Sequence, residues 1–402
     1  MKNALGLFAA LVLSTSTSTL GCEAAPDSPP PGADRLDFPV APRGAVATTL
    51  PSPASREAPH LAAWPEVMTW TSQGDLAVVD GRTGTVKQLA PTSHLGGEVD
   101  LVFDPWTSEA AVFELDNESQ SGEITSYPAL PGPSGIHLEP RVHRAWIDGE
   151  ARLLAAPLGL VIFEQSYGER WKVLFDDQHT TSSVSAPCPA SAWITEGAGQ
   201  GFTVHALSYS EAGPLLLHAS DVSPHHVADL TTSSLGVAPA GDPPTARAIS
   251  APALGGAALF DVVGSDLAVR LVSGPSASPA ALVPLGASEL RVEHVLAFDG
   301  GQVALLLLSG DSRVMAVELA ADGAVKSTAT LALPGTVREE RRFFSHDLSA
   351  LGPRRALAAT SAGVLSIRMT RSGAGVGLAL DPSFSGAALR GPIAVLAPHS
   401  PW

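Results

Sequence analysis

The chain has 402 residues, of which 45% are hydrophobic and 16% are charged, and its formal net charge is -16 at pH 7. This hydrophobic content supports a large buried core and argues against an intrinsically disordered chain. The negative charge, without any basic run, argues against binding to nucleic acid or to anionic lipid headgroups through a cationic face. We therefore expect a folded protein with no nucleic-acid partner.

The first predicted element is a secretory signal. A positively charged start is followed by the apolar run Ala4 to Leu13, which is too short to span a bilayer as a mature helix. Small residues come next, and then Leu20, Gly21 and Cys22. We predict that residues 1–21 are a cleaved signal peptide.

The segment that ends at Cys22 resembles the lipobox of bacterial lipoproteins. The resemblance implies that Cys22 becomes the first mature residue and carries the lipid that anchors the protein to the membrane. Leu20 stands one place later than the usual leucine, so the alternative is an ordinary signal followed by an unrelated cysteine. Residues 22–35 are predicted to form a flexible tether, since Pro and Ala are frequent there. Glu23 replaces the Asp that favours inner-membrane retention, so we expect the outer membrane of a bacterial envelope.

Cys188 is the second of only two cysteines. If Cys22 carries a lipid, no disulfide can form within the chain, and a domain of this size has core enough without one. Cys188 lies between two prolines, so we interpret it as a loop thiol rather than as a nucleophile.

A strand–turn–strand pattern first occurs at Asp75 to Pro91, where the apolar run LAVVD meets a GRTG turn and a second strand. The turns recur about 36 to 55 residues apart, which is the range for four-stranded propeller blades. The six later hairpins span Glu109–Tyr127, Gly159–Phe175, Leu215–Leu230, Asp266–Leu285, Arg313–Leu333 and Gly363–Leu380.

A short aliphatic run precedes each hairpin and predicts an inner strand. Such runs, bounded by Gly, Pro, Asp and Ser, are typical of strands, and no stretch keeps a helical period over three turns. Leu36 to Leu50, Gly391 to Pro398, or both could supply the strand that closes a ring. The predicted inner strands are Trp64–Trp70, Val99–Phe103, Ala145–Ile147, Ala192–Thr195, Ala246–Ala251, Val292–Phe298 and Phe343–Leu348.

The unit DLAVVDGRTGTVKQL resembles the strand–D–x–x–T/S–G–x–V unit of bacterial β-propellers of the YVTN and quinoprotein-like kind. The sixth repeat, VELAADGAVKS, is also close, whereas WD dipeptides and Asp-boxes are absent from the sequence. Repeats and resemblance together predict an all-β fold: a single β-propeller of seven four-stranded blades over residues 36–402. A tandem of β-sandwiches or a mixed β protein is the alternative.

Acidic and His residues lie in or beside the predicted inner strands, which line the central channel of a propeller. If they converge, they could hold Ca²⁺ or another divalent ion, as in the propeller lactonases. The alternative is that they are ordinary turn residues, and their spacing matches no metal motif, so no cofactor and no catalytic residue is predicted. The candidate metal ligands are Asp100, Asp148, His294, Asp299 and His346, with Glu66, Glu196 and Asp347 as further channel residues.

Three tryptophans also lie in predicted inner strands, namely Trp64, Trp146 and Trp193. We interpret them as packing between blades. A platform on which a sugar ring stacks is the alternative.

The sequence contains no G-x-S-x-G elbow, P-loop, H-E-x-x-H or C-x-x-C motif. The leading hypothesis is therefore a non-catalytic binding scaffold, an envelope-anchored lipoprotein that presents a propeller face to a protein or other periplasmic ligand. The alternative is a metal-dependent propeller enzyme of the lactonase, lyase or dehydrogenase type, which would use the channel-lining Asp, Glu and His residues.

Overall fold

The computed structural model describes residues 65 to 396, and the predicted signal, tether and Cys22 lie outside this range. Within these described residues, no helix is both long enough and apolar enough to cross a membrane. The gaps in the range are residues 91–95, 117–118, 120, 133–134, 141, 148, 158, 167–171, 177–180, 186–189, 197–200, 210–212, 224–225, 239–245, 252–253, 286–290, 299–302, 310–311, 338–346, 353 and 374.

The described residues form strands throughout. The first twelve are β1 (Glu66–Thr71), β2 (Leu76–Asp80), β3 (Val86–Ala90), β4 (Gly96–Asp104), β5 (Glu109–Asp116), β6 (Ser121–Gly132), β7 (Gly135–Leu138), β8 (Val142–Ile147), β9 (Gly149–Ala156), β10 (Gly159–Ser166), β11 (Lys172–Asp176) and β12 (Thr181–Ser185). The next ten are β13 (Ser191–Glu196), β14 (Phe202–Ser208), β15 (Leu216–Ser223), β16 (His226–Val227), β17 (Thr231–Ser234), β18 (Arg247–Ala251), β19 (Gly256–Val263), β20 (Asp266–Ser273), β21 (Ser276–Ala277) and β22 (Ala281–Pro284). The last nine are β23 (Arg291–Phe298), β24 (Val303–Ser309), β25 (Arg313–Leu319), β26 (Val325–Ala332), β27 (Leu348–Ala350), β28 (Arg355–Thr360), β29 (Gly363–Ser372), β30 (Gly375–Leu380) and β31 (Leu389–Leu396).

These strands form seven antiparallel sheets of four or five strands within the described residues. Sheet I has the order β3-β2-β1-β31, and sheet II has the order β4-β5-β6-β7 with β8 also paired to β6. Sheets III, IV and V contain β9 to β12, β13 to β17 and β18 to β22, and sheets VI and VII contain β23 to β26 and β27 to β30. The prediction of an all-β fold with a propeller arrangement is confirmed.

The turn between β2 and β3 shows why the repeated hairpin forms. Asp80 Oδ1 accepts hydrogen bonds from the amides of Arg82 (3.0 Å) and Thr83 (2.9 Å), so the side chain closes the turn. Gly84 has a φ of +76°, and a Cβ there would lie 2.6 Å from the carbonyl oxygen of Ser385. The D-x-x-T-G sequence therefore provides both the hydrogen-bond acceptor and the left-handed residue that the turn needs.

Both faces of a sheet pack against neighbouring sheets, which explains the continuous apolar runs. In β2, Leu76 and Val78 belong to the cluster between sheets I and II, whereas Ala77 and Val79 belong to the cluster between sheets VII and I. Alternate residues of a strand point to opposite faces, so a strand buried on both faces is apolar at every position. Similar clusters lie between each pair of consecutive sheets.

The C-terminal strand completes the first sheet. β31 pairs with β1 from Glu66↔Leu396 to Thr71↔Leu389, so it occupies the innermost position of sheet I. This pairing confirms the prediction that the run from Gly391 to Pro398 closes a blade with the other end of the chain. The other predicted closing segment, Leu36 to Leu50, lies outside the described residues.

Two predicted inner strands are wrong. The run from Trp64 to Trp70 corresponds to β1, which is the second strand of its sheet because β31 lies inside it. The run from Ala145 to Ile147 belongs to β8, which pairs with β6 at the outer edge of sheet II. The innermost strand of the following sheet is β9 instead. Local sequence identifies a strand but does not reveal its place in the sheet.

Candidate functional site

The innermost strands of the sheets begin at one end of the propeller axis. They are β31, β4, β9, β13, β18, β23 and β27, in the order of sheets I to VII. Because every sheet repeats the same antiparallel topology, these strands run in the same direction and their first residues meet at one end. We call this end the axial end.

Asp100 joins two inner strands at the middle of each. Its Oδ1 accepts a hydrogen bond from the amide of Leu101 (3.0 Å), and its Oδ2 accepts one from the amide of Leu153 on β9 (2.8 Å). The residue is 3% exposed. Both carboxylate oxygens thus serve backbone amides, which is the arrangement of a structural bridge between sheets II and III.

Serine side chains make the same kind of bridge elsewhere. Ser191 on β13 donates to the carbonyl oxygen of Ala248 on β18 (2.6 Å), and the Ala248 amide donates back to Ser191 Oγ (3.2 Å). Ser349 on β27 donates to the carbonyl oxygen of Ile393 on β31 (2.8 Å). Short polar side chains therefore join neighbouring inner strands at several places.

Four charged or titratable residues occupy the axial end on four successive sheets. Arg247 begins β18, His294 is the fourth residue of β23, Asp347 immediately precedes β27, and Arg390 is the second residue of β31. His294 is 3% exposed and Asp347 is 2% exposed, whereas the two arginines are half-buried. We call Arg247, His294, Asp347 and Arg390 the axial quartet.

Close packing and irregular pairing mark this end of the inner strands. A Cβ at Gly391 would lie 1.8 Å from Asp347 Oδ1, so the glycine is needed for the carboxylate to approach β31 beside Arg390. The pairing of β23 with β24 shifts register between Val292 and His294. The pairing of β1 with β31 shifts between Thr69 and Trp70, where β31 contains the extra residues. Bulges of this kind re-aim side chains and are frequent beside active sites.

Backbone carbonyls orient the two arginines. Arg247 Nη1 donates to the carbonyl oxygen of Ala246 (3.1 Å) and to Tyr209 Oη (3.4 Å). Arg390 Nη1 donates to the carbonyl oxygens of Ala387 (2.9 Å) and Leu389 (2.7 Å). Guanidinium groups can bind an anionic substituent and stabilise a developing oxyanion, and an imidazole or a carboxylate can transfer a proton.

Several predicted site residues fall elsewhere. Asp148, Asp299 and His346, like Cys22 and Cys188, lie outside the described residues. Asp100 and His294 are described, but no group of three or more His, Cys, Asp or Glu residues in the described part of the chain could hold a metal ion.

Glu66 does not line the channel. It lies on β1, where Oε1 accepts a hydrogen bond from Lys87 Nζ (2.6 Å) and Oε2 accepts one from the amide of Ile136. Because Ile136 belongs to β7 of sheet II, the carboxylate joins sheets I and II away from the axis. The misplaced inner strand explains the error.

The predicted tryptophans have different environments. Trp193 is 5% exposed and stacks on His205 with 5.3 Å between ring centroids, so its interpretation as a packing residue is confirmed. Trp146 lies on the outer strand β8 and is 63% exposed, so the packing interpretation is wrong for that residue. Trp64 lies outside the described residues.

Sequence reasoning missed the two arginines of the quartet. The search for channel residues considered only carboxylates and imidazoles, because these are metal ligands. Arg247 is the second residue of the predicted inner strand Ala246–Ala251, and Arg390 directly precedes GPIAVLAP. A polar residue of any charge at the start of an inner strand was the signal that could have found them.

No protein-family model and no curated protein matches the chain. Among solved structures, a candidate 6-phosphogluconolactonase from Bacteroides uniformis is 11% identical, with a TM-score of 0.54 over 82% of this chain and 98% of that one. A protein of unknown function from Desulfotomaculum acetoxidans is 11% identical, with a TM-score of 0.52 over 79% and 98%. The periplasmic gluconolactonase PpgL of Pseudomonas aeruginosa is 17% identical, with a TM-score of 0.49 over 82% and 98%.

The match to the Bacteroides uniformis structure overturns the expectation of a non-catalytic scaffold. That expectation rested on fold-level analogy, and a solved structure of the same fold bears the name of an enzyme. At 11% identity the likeness itself shows that the two chains share the propeller fold.

Proposed function

We propose that the protein is a hydrolase of lactones, with its active site at the axial end. The observation that carries this proposal is the axial quartet, which four successive inner strands bring to one end of the axis. The fold-level likeness to a candidate lactonase supports the choice of reaction. Both considerations favour the enzyme alternative of the sequence analysis.

Lactone hydrolysis needs the groups that the quartet contains. Water attacks the carbonyl carbon, negative charge develops on the carbonyl oxygen, and the ring C–O bond then breaks to give a hydroxy acid. His294 and Asp347 are the candidates for accepting the proton of the attacking water and returning one to the ring oxygen. Arg247 and Arg390 are the candidates for stabilising the oxyanion.

The charge of the quartet favours an anionic substrate. The set contains two arginines and one carboxylate, so its cationic groups outnumber its anionic group. An arginine binds phosphate or carboxylate groups through paired N–H donors. A phosphorylated or carboxylated sugar lactone is therefore the preferred substrate class.

The proposal is tested by following acid release from glucono-δ-lactone and from 6-phosphogluconolactone with the purified protein. We expect the rate to exceed spontaneous hydrolysis by about a hundredfold or more, with the phosphorylated lactone favoured. Heat-denatured protein is the control, and unchanged hydrolysis of both lactones would contradict the proposal. Activity that is lost on chelation and restored by Ca²⁺ would support the metal-dependent form, with Asp148, Asp299 and His346 as the residues to substitute.

We also propose that the seven sheets are the blades of one closed propeller that spans residues 36–402. The clusters between all consecutive sheets and the pairing of β31 with β1 support this count. The D-x-x-T-G turn of sheet I supports the YVTN or quinoprotein-like type. Limited proteolysis should leave one stable fragment that begins between residues 36 and 60; two fragments of similar size would contradict a single ring.

We further propose that the protein is a lipoprotein of the bacterial envelope, anchored through Cys22. The short apolar run before Gly21-Cys22 and the Pro-rich tether of residues 22–35 support this location, with the outer membrane as the expected site. Metabolic labelling with a clickable fatty acid should label the wild type but not Cys22→Ser. Equal labelling of both would contradict the anchor.

A further inference from the structure

Sheet II carries an exposed aromatic site at its outer edge. Trp146 on β8 is 63% exposed, and His143 lies beside it with 5.6 Å between the ring centroids. The exposure is informative because tryptophan is highly buried on average in folded proteins and is enriched at interfaces. The outer strand is three strand spacings, about 14 Å, from the inner strand β4, so this site is separate from the axial end.

A β-bulge brings the two rings to the same face. His143 pairs with Thr125, and Trp146 pairs with Glu123, with a register shift between Ile124 and Thr125. His143 and Trp146 are three residues apart, so in a regular strand they would point to opposite faces. Their partners Thr125 and Glu123 are two residues apart on β6 and therefore share a face. The extra residue in β8 is therefore what places His143 and Trp146 together above Glu123.

The imidazole beside the indole is held by a carboxylate. His143 Nδ1 lies 3.0 Å from Glu123 Oε1, so the carboxylate fixes the imidazole next to the tryptophan. The neighbouring residue Arg144 forms an ion pair with Glu109, with 2.8 Å between Nη2 and Oε2. The site thus combines a flat apolar ring with hydrogen-bonding groups and has no unpaired cation among these residues.

From this geometry we propose that Trp146, His143 and Glu123 form a binding site for a neutral saccharide. The C–H face of a sugar ring packs on the indole, and its hydroxyl groups hydrogen-bond to the imidazole and the carboxylate. The Glu123 carboxylate disfavours an anionic ligand, and the Arg144 charge is already engaged by Glu109.

The same geometry disfavours a peptide strand as the ligand. Strand addition needs a regular row of backbone donors and acceptors, and the bulge in β8 interrupts that row. The exposed indole offers a ring face instead, which suits stacking.

The test is calorimetry of the full mature chain with neutral hexasaccharides of the cello, chito, xylo and malto series. We expect at least one series to bind with a dissociation constant of about 1 mM or tighter, and Trp146→Ala to weaken that binding at least about tenfold. Leu282→Ala is the matched control, since Leu282 is a 57% exposed side chain on the outer strand β22 of another sheet. His143→Ala should also weaken binding.

The proposal is overturned if none of the four hexasaccharides binds the wild type, or if Trp146→Ala and Leu282→Ala bind equally well. Trp146-dependent binding of an unstructured peptide, without saccharide binding, would also overturn it. Because the variants of this site and of the axial quartet are separate, loss of lactone hydrolysis leaves this test unaffected.

Discussion

Polar side chains serve different purposes at the axis and at the outer edge of sheet II. Near the axis, Asp100 and Ser191 are buried and bridge neighbouring inner strands through backbone groups. At the outer edge, His143 and Glu123 flank the exposed Trp146 and bridge only adjacent strands of one sheet. When a buried group loses its hydrogen-bond partner, no water can replace that partner and the group stays unsatisfied. At the surface, solvent supplies the missing hydrogen bond. The axis should therefore dominate stability, and the outer edge should not.

The largest stability effect is expected at Asp100. Asp100→Ala leaves the buried amides of Leu101 and Leu153 without their acceptor, so the free energy of unfolding should fall by about 4 kcal/mol. Asp100→Asn keeps one acceptor oxygen and should lose about half as much. Urea unfolding measures both values, and a loss below about 1 kcal/mol for the alanine variant would break the contrast with the outer edge.

Asp104, at the far end of β4, should make stability depend on pH. Burial raises the pKa of Asp104 to about 6 from its ordinary 3.8, although hydrogen bonds from Thr107 and Trp106 and the charge of Arg144 oppose the rise. The folded state therefore holds the proton more tightly than the unfolded state. Its contribution is fully present below pH 3.8 and is lost as the pH rises through about 6.

The variant Asp104→Asn removes this titration. Relative to the wild type, its free energy of unfolding should increase by about 3 kcal/mol between pH 3.8 and pH 7. Asp80 is the matched control in a similar D-x-x-T turn, because it is more exposed. Burial raises the pKa of Asp80, but hydrogen bonds from Thr83 and Arg82 and the charge of Lys87 lower it by more. The pKa of Asp80 is therefore below its ordinary 3.8. Asp80→Asn should show the opposite trend, and parallel pH profiles for the two variants would contradict the role of burial.

A smaller effect is expected at Ser191. Ser191→Ala removes two hydrogen bonds between β13 and β18, and the free energy of unfolding should fall by about 1 to 2 kcal/mol. Thermal and urea unfolding measure the change. Ser349→Ala removes a half-buried hydrogen bond between β27 and β31 and should lower the free energy of unfolding by less. The reverse order would show that burial does not set the strength of these hydrogen bonds.

The hairpins could be predicted from sequence because their signals are local. Alternation of apolar residues around a D-x-x-T-G turn specifies a strand pair such as β2 and β3 without distant information. The place of a strand within its sheet depends on distant residues instead. β1 is a second strand only because β31, more than three hundred residues later, lies inside it. That one displacement moved Glu66 from the predicted channel to a junction between sheets.

The candidate sites were less predictable for similar reasons. Asp100 and His294 were found because they lie on inner strands, but the two arginines of the quartet belong to no metal motif. At the outer edge, His143 and Trp146 share a face only because of a bulge opposite Ile124 and Thr125. A bulge is a property of the paired strands, and the sequence of β8 alone does not reveal it.

The comparison of axis and outer edge is tested most directly by lactone hydrolysis in matched variants. We expect Arg390→Ala to lower kcat/KM for 6-phosphogluconolactone by about a hundredfold, because it removes a group that stabilises developing negative charge. Trp146→Ala, at the exposed outer edge, should stay within about twofold of the wild type. If Arg390→Ala folds normally and retains full kcat/KM, or if Trp146→Ala loses as much, the axial end is not the active site.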